Sequence, residues 1–317
     1  MTVGLLPRDA NPRLNAQDPR PKTMKNLLIL LFIFLFPHAA TAQTQIVLLG
    51  TGTPYPDPHA SGPATAVIVG KRVFLFDAGA GVMRQVNAAG LPLTGPEATF
   101  ITHLHSDHTL GYPDLILTSW IMQRQKPLEV YGPVGLRRMT NHLLAAFSED
   151  IEVRTRGLER EVPQWLHVRV HEIQVGVIFD RDGVRVTAIR VPHGSWKNAF
   201  AYRVDTPDRS ILISGDTAPS RELIAAAKDI DTLVHEVYLS TNLRPEDRPG
   251  GKFWPQYMRE FHTSERELGD IAAKANCKTL ILTHIIRFGG TDEQLLSGIR
   301  GAGYIGNVIV GKDLGRY

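Results

Sequence analysis

The chain has 317 residues, 43% of them hydrophobic and 21% charged, ordinary globular proportions that exclude a disordered or fibrous protein. Its net charge of +3 comes from residues 1–42, where five Lys/Arg outnumber two Asp by three. Residues 43–317 are therefore neutral and lack a global electrostatic footprint for nucleic acid, although local basic patches stay open.

In chain order, residues 24–42 come first. A lysine, an unbroken apolar run (27–36), Pro37 and the small-residue site Ala40-Thr41-Ala42 have the layout of a secretory signal peptide cut after Ala42. The run is too short to span a bilayer comfortably. The expected organisation is an N-terminal extension and signal peptide over 1–42, then one hydrolase domain over 43–317, periplasmic or secreted, with no stable membrane insertion after cleavage.

"TQIVLLG" reads as a strand, and "ATAVIVGKRVFLF" as a hairpin turning near Gly70-Lys71. "AGVMRQVNAAG" is a short helix, "EATFIT" a buried strand, and "LGYPDLILTSWIMQRQ" loop then helix. "PLEVYGP" is a strand and "VGLRRMTNHLLAAFSED" one amphipathic helix. Residues 167–194 are strand-rich, with a turn at Asp182-Gly183. "FAYRVDTPDRSILISGD" is a hairpin, "SRELIAAAKDI" a helix and "TLVHEVYL" a strand. "LRPEDRPGGKFWPQ" reads as a long polar loop. Helix "SERELGDIAAKAN", strand "KTLILTH" and helix "TDEQLLSGIRG" close the chain. The second half repeats the layout of the first. This predicts an α/β fold, a four-layer αββα sandwich of two mixed sheets with helices outside. Cys277, the only cysteine, excludes an internal disulfide; at the start of an apolar strand it reads as a small buried residue.

Within "THLHSDH" (102–108), the six residues 103–108 hold three histidines and an aspartate at the exit of a predicted strand, where open α/β sheets hold their sites. His103 and His105 are two apart, so on an extended segment their imidazoles point the same way. Asp107 and His108 follow where the chain turns and aim at a second point. Imidazole with carboxylate suits zinc, manganese or iron more than calcium, and two metals side by side form a hydrolytic clamp. Other strands also terminate in such groups: His193 in "RVPH", Asp216 in "ISGD", His235 and Glu236 in "VHEVY", His284 in "ILTH". One histidine at a strand end often satisfies a core edge, but packing does not explain the repetition.

H-x-H-x-D-H, then "PHG", "SGDT" and "LTH" in that order, resembles the metallo-β-lactamase fold superfamily. By that resemblance His103, His105 and His193 hold one Zn2+, Asp107, His108 and His284 the other, and Asp216 bridges them. Asp77 in "FDAG" matches an early aspartate that orients the metal loop. "LLGTGTP", "HEVY" and "FHTS" resemble ribonuclease Z and its relatives, whose last two motifs supply a Glu–His pair that protonates the leaving oxygen. Carried over, these are Glu236 and His262. A histidine held by a carboxylate is expected to keep one tautomer and a raised pKa. The alternative for His262 is a mere flank of the following helix, capped by Thr263 or Ser264.

Ribonuclease Z enzymes usually carry a long RNA-gripping arm between the third metal histidine and the bridging aspartate. Here Asp216 lies only 23 positions beyond His193. The resemblance is therefore to an arm-less branch. It implies an exported binuclear zinc hydrolase (Mn2+ or Fe in place of zinc being allowed) that attacks a phosphodiester or related ester through a metal-bridging hydroxide oriented by Asp107. Hydrolysis of a β-lactam or lactone at the same site, and a metal-binding module without turnover, are the alternatives. The expected partner is a small-molecule ester, phosphodiester or β-lactam, with RNA not favoured and a homodimer allowed. Trp196, Trp254, Tyr257 and Phe261 either line the pocket or pack.

Overall fold

The predicted strands pair into two mixed sheets in the computed structural model, which describes residues 43–317. The predicted signal peptide lies outside them. The first sheet holds β1 (Thr44–Gly50), β2 (Ala64–Val69), β3 (Arg72–Phe76), β4 (Ala98–Phe100), β5 (Leu128–Gly132) and β6 (Val168–Glu172), in that order. The second runs from β7 (Gly176–Arg181) through β8 (Val184–His193), β9 (Trp196–Asp205), β10 (Ser210–Ile213), β11 (Thr232–Tyr238) and β12 (Thr279–Ile286) to β13 (Asn307–Val310). Each sheet begins as an antiparallel meander and ends in parallel strands. The β7–β8 turn falls on Asp182 and Gly183, both at positive φ, the conformation a two-residue hairpin needs.

Helices cover the outer faces. The first sheet carries α1 (Val82–Ala88), α2 (Ser106–Thr109), α3 (Tyr112–Ile121), α4 (Leu136–Ala146) and α5 (Ser148–Arg156). The second carries α6 (Arg221–Ala226), α7 (Trp254–Phe261), α8 (Glu265–Ala275) and α9 (Asp292–Gly301). Val82, Val86, Leu115 and Ile116 seal the first sheet; Leu223, Leu268, Ile271, Leu295 and Ile299 seal the second. Between the sheets lie Phe74, Phe76, Phe100, Phe179, Val186 and Tyr202. With both faces covered, β11 is buried along its whole length, as a central parallel strand must be. The αββα expectation holds.

Three elements differ from expectation. The predicted helix after β5 breaks at Phe147, and a second one, α5, begins. No residue of α5 is buried; it has acids in its first turn and arginines in its last, which favour the helix dipole but leave no apolar period to read. The short strand β13 lies beyond the last predicted element. Helix α7 replaces part of the predicted polar loop: Pro255 sits in its first turn, where proline is tolerated. Helix α8 starts where expected, with Ser264 and Glu267 forming a capping box. Cys277 is buried. Among the described residues no helix is long and apolar enough to cross a membrane.

Candidate metal centre

The strands that run into the site do so at their C-terminal ends. Beyond β4 the chain extends through His103, and His105 then precedes α2, which carries Asp107 and His108. His193 ends β8. Asp216 follows β10 after Gly215, whose φ is +57° and whose Cβ, if it had one, would lie 2.8 Å from Cβ of Thr102. His284 is not the end of β12 but a bulge within it. Glu236 pairs with Thr283 and Val237 with Ile285, so His284 is skipped, at φ +44°. A bulge of this kind re-aims a side chain.

The seven predicted donors come together. His103, His105, His193 and Asp216 form one group, and Asp107, His108 and His284 a second. His103 Nε2 and His193 Nε2 lie 3.0 and 3.1 Å from His105 Nδ1. Nitrogens bound tetrahedrally at ~2.0–2.1 Å from one zinc are roughly 3.3 Å apart, so the spacing fits a shared ion. His108 Nε2 lies 3.3 Å from Asp216 Oδ1, and both atoms are buried without a hydrogen-bond partner. His284 Nε2 is 3.2 Å from Asp107 Oδ2 and 3.5 Å from Asp216 Oδ2. Buried orphan atoms with nitrogen and carboxylate donors are what divalent metal ions require.

A further ring of contacts orients these donors. Asp77, at φ +59° after β3, accepts from the Thr102 backbone N–H at 2.8 Å and from His108 Nδ1 at 2.8 Å. Thr102 Oγ1 donates to Asp77 at 2.8 Å and lies 2.9 Å from His103 Nδ1. His193 Nδ1 donates to the Phe261 carbonyl at 2.7 Å. The Nε2 lone pairs of His103, His108 and His193 are thereby turned inward, the usual way a protein orients metal-binding imidazoles. The Trp196 ring stands edge-on to the His105 imidazole, with centroids 4.9 Å apart. Thr102, Phe261 and this role of Trp196 carried no readable motif. Gly215→Ala is expected to cost roughly 1–3 kcal/mol, the usual penalty of overpacking, and to lower metal content by shifting Asp216; a melting curve with elemental analysis checks it.

Burial pushes His103 well below the ordinary imidazole value and takes His105 and His193 to about 4. They are neutral, the form a metal binds. Burial alone would lower His108 and raise Asp216. The neighbouring opposite charges win, holding His108 well above and Asp216 well below their usual values.

Glu236 Oε1 accepts from the backbone N–H groups of Thr217 at 3.2 Å and Thr263 at 3.1 Å, and from His262 Nδ1 at 3.3 Å. The predicted pair therefore meets beside the donors. Its expected raised imidazole pKa does not occur: burial takes His262 down to about 4 and raises Glu236 well above the carboxylate range, helped by the charge of Asp216. His262 also falls into a group with Asp216 and His284, so its position suits a ligand as well as an acid. His235, named with Glu236, falls in none of the three donor groups; its Nδ1 donates to the Glu236 carbonyl at 2.7 Å.

Residues 72–285 match the beta-lactamase superfamily domain. Ribonuclease Z of Mycobacterium bovis is 33% identical over 268 residues, 82% of this chain and 92% of that protein. Two crystal structures share the fold. The metallo-β-lactamase fold protein YhfI of Bacillus subtilis has a TM-score of 0.65 at 17% identity, over 87% of this chain and 99% of that one. The short form of human tRNase Z has a TM-score of 0.64 at 24% identity, over 86% and 98%. The expected partner, a small-molecule ester, phosphodiester or β-lactam with RNA not favoured, is overturned by the ribonuclease relatives, which match over most of their length. A chain-wide charge sum measures long-range attraction and says nothing of the local charge at a metal centre. The chain belongs to the ribonuclease Z family within the beta-lactamase superfamily and is a metal-dependent hydrolase.

Proposed function

We propose that residues 43–317, exported after removal of residues 1–42, hydrolyse phosphodiester bonds of RNA at a centre of two zinc ions. The observation that carries this is the convergence of two donor groups on one carboxylate: Asp216 Oδ2 lies 3.9 Å from His103 Nε2, and Asp216 Oδ1 3.3 Å from His108 Nε2. The ribonuclease relatives support RNA as the substrate. Two bound zinc ions would supply a nucleophile ionised near neutral pH and absorb charge on the attacked phosphate.

The chain's own residues do the rest. Asp107, held by His284, orients the attacking water. Glu236 fixes His262 through Nδ1, so that Nε2 takes up the proton released by the attacking water and passes it to the departing ribose oxygen. Between His193 and Asp216 there are only β9, β10 and the short turns around them, so the substrate is gripped by the walls of the site.

End-labelled RNA incubated with the zinc-loaded protein should be cut, and an Asp216→Ala preparation should leave it whole. Equal cutting by both would trace the activity to a contaminant and refute the proposal. For export, sequencing the native N-terminus should read Gln43 first; an N-terminus at Met1 or Met24 would overturn that part.

A further inference from the structure

The metal centre opens into a cleft of about 820 Å³, lined by Asp107, His262 and His284 and by residues 51–57 and Ala60 of the loop that follows β1. This is far more room than one phosphodiester needs, so a chain seated at the donor groups also meets the loop.

The tip of that loop, residues 54–59, is exposed throughout, but it is stiff in itself. Pro54, Pro56 and Pro58 fix three φ angles. The Asp57 N–H donates to the Tyr55 carbonyl and its carboxylate accepts from the His59 N–H, both at 2.8 Å. A stiff, exposed tip takes its position from its neck. The neck is closed by one backbone bond, from the Gly52 N–H to the Ser61 carbonyl at 2.8 Å, and by Asp313. Oδ1 of Asp313 accepts from the backbone N–H and the hydroxyl of Thr51, both at 2.8 Å; Oδ2 accepts from the Ser61 backbone N–H and from Gln85 Nε2 of α1, both at 2.7 Å. Thr51 and Ser61 are the two ends of the loop, so one carboxylate holds both, and four donors fill its lone-pair sites.

The clamp is itself anchored. Residues 311–317 follow β13 of the second sheet and pair with β1 of the first: the Leu314 N–H donates to the Leu48 carbonyl at 2.7 Å, and the Leu48 N–H to the Gly315 carbonyl at 3.1 Å. Beyond Ser61 the Gly62 N–H donates to the Ala80 carbonyl at 2.9 Å, and a Cβ on the adjoining Gly79 would lie 2.7 Å from the Asp107 carbonyl oxygen. The loop is thus registered on the metal centre, while Asp313 stands outside the cleft lining.

We propose that Asp313 is a positioning residue for the cleavage of RNA: by clamping both ends of the loop it sets the cleft wall against which the RNA is seated. The proposal rests on the RNA reading above. An unclamped neck lets the stiff tip swing, and a misplacement of about 1 Å caused far from the chemistry costs up to about 10²-fold.

The far end of β1 supplies a matched control. There Asp208 accepts from the backbone N–H and the hydroxyl of Thr44, the same donor pair that Thr51 offers Asp313, but outside the cleft lining. Asp313→Ala should lower kcat/KM on a short RNA about ten- to a hundredfold, mostly through KM. It should keep the wild-type metal content and hydrolyse methyl p-nitrophenyl phosphate, a diester too small to fill the cleft, within about twofold of the wild-type rate. Asp313→Asn keeps the shape but turns an amide NH2 towards two donors; it should move KM the same way, and it decides the matter if the alanine variant does not fold. Asp208→Ala should lower the melting temperature and leave KM for RNA unchanged. In a protein whose residues 54–59 are replaced by two glycines, Asp313→Ala should add nothing further. Wild-type KM in the folded Asp313 variants, an equal loss on RNA and the small diester, an equal loss in Asp208→Ala, or an additive loss without the loop tip would overturn the proposal while leaving RNA hydrolysis standing. A wild-type protein that hydrolyses the small diester yet leaves RNA whole would overturn the RNA reading and this proposal with it.

Discussion

His103→Ala should abolish RNA cleavage, by about a thousandfold or more, and bring bound metal well below the wild-type content. Without the metal the nucleophile is ordinary water, which does not ionise near neutral pH as metal-bound water does. The side chain is fully buried and held through Thr102 to Asp77, so no neighbour swings in to replace it. Asp77→Asn gives the contrast. It keeps a group that accepts from Thr102 but removes the charge beside His108, and residues in such a supporting position typically govern about 10–100-fold of metal affinity. This variant should therefore bind metal more weakly and recover most of its activity when metal is added in excess, which His103→Ala should not. Elemental analysis and cleavage rates against added zinc check both. Wild-type metal content in His103→Ala would remove it from the centre.

His262→Ala should keep both metals and lose about 10²–10⁴-fold in kcat on RNA, the usual worth of general acid catalysis. The loss should be much smaller on bis(p-nitrophenyl) phosphate, because p-nitrophenolate departs without a proton. Glu236→Gln should follow the same pattern more weakly, since Glu236 acts by holding Nδ1 of His262. The grouping of His262 with Asp216 and His284 supplies the rival outcome. If His262→Ala loses metal, or slows both substrates equally, the residue is a ligand or a structural support and the assignment as acid fails.

The fold was largely legible because most elements announce themselves locally. Gly70 and the Asp182-Gly183 pair mark tight turns, Ser264 and Glu267 mark a helix start, and unbroken apolar runs such as "TLILT" mark strands covered on both faces. Helix α7 was hidden by its neighbours. Pro249, Gly250 and Gly251 read as loop, and the apolar side of α7 is one buried residue, Met258, beside aromatics that face a cleft and each other. The donors were legible because several strands terminate in His or Asp. Their orientation was not. The bulge that turns His284, the Phe261 carbonyl that fixes His193 and the Thr102 hydroxyl behind His103 are contacts between distant segments or backbone atoms, which have no side-chain signature. The lowered His262 pKa has a related cause: pairing with a carboxylate is visible in a motif, but the depth of burial that outweighs it is not.

The most direct test is a zinc titration of the chelated protein, followed by its rate of RNA cleavage. The protein should be inactive without metal, gain activity as zinc is added, and reach a plateau at two equivalents per chain. Cleavage that persists in the metal-free protein, or a protein saturated with two zinc ions that leaves RNA intact, would contradict the account.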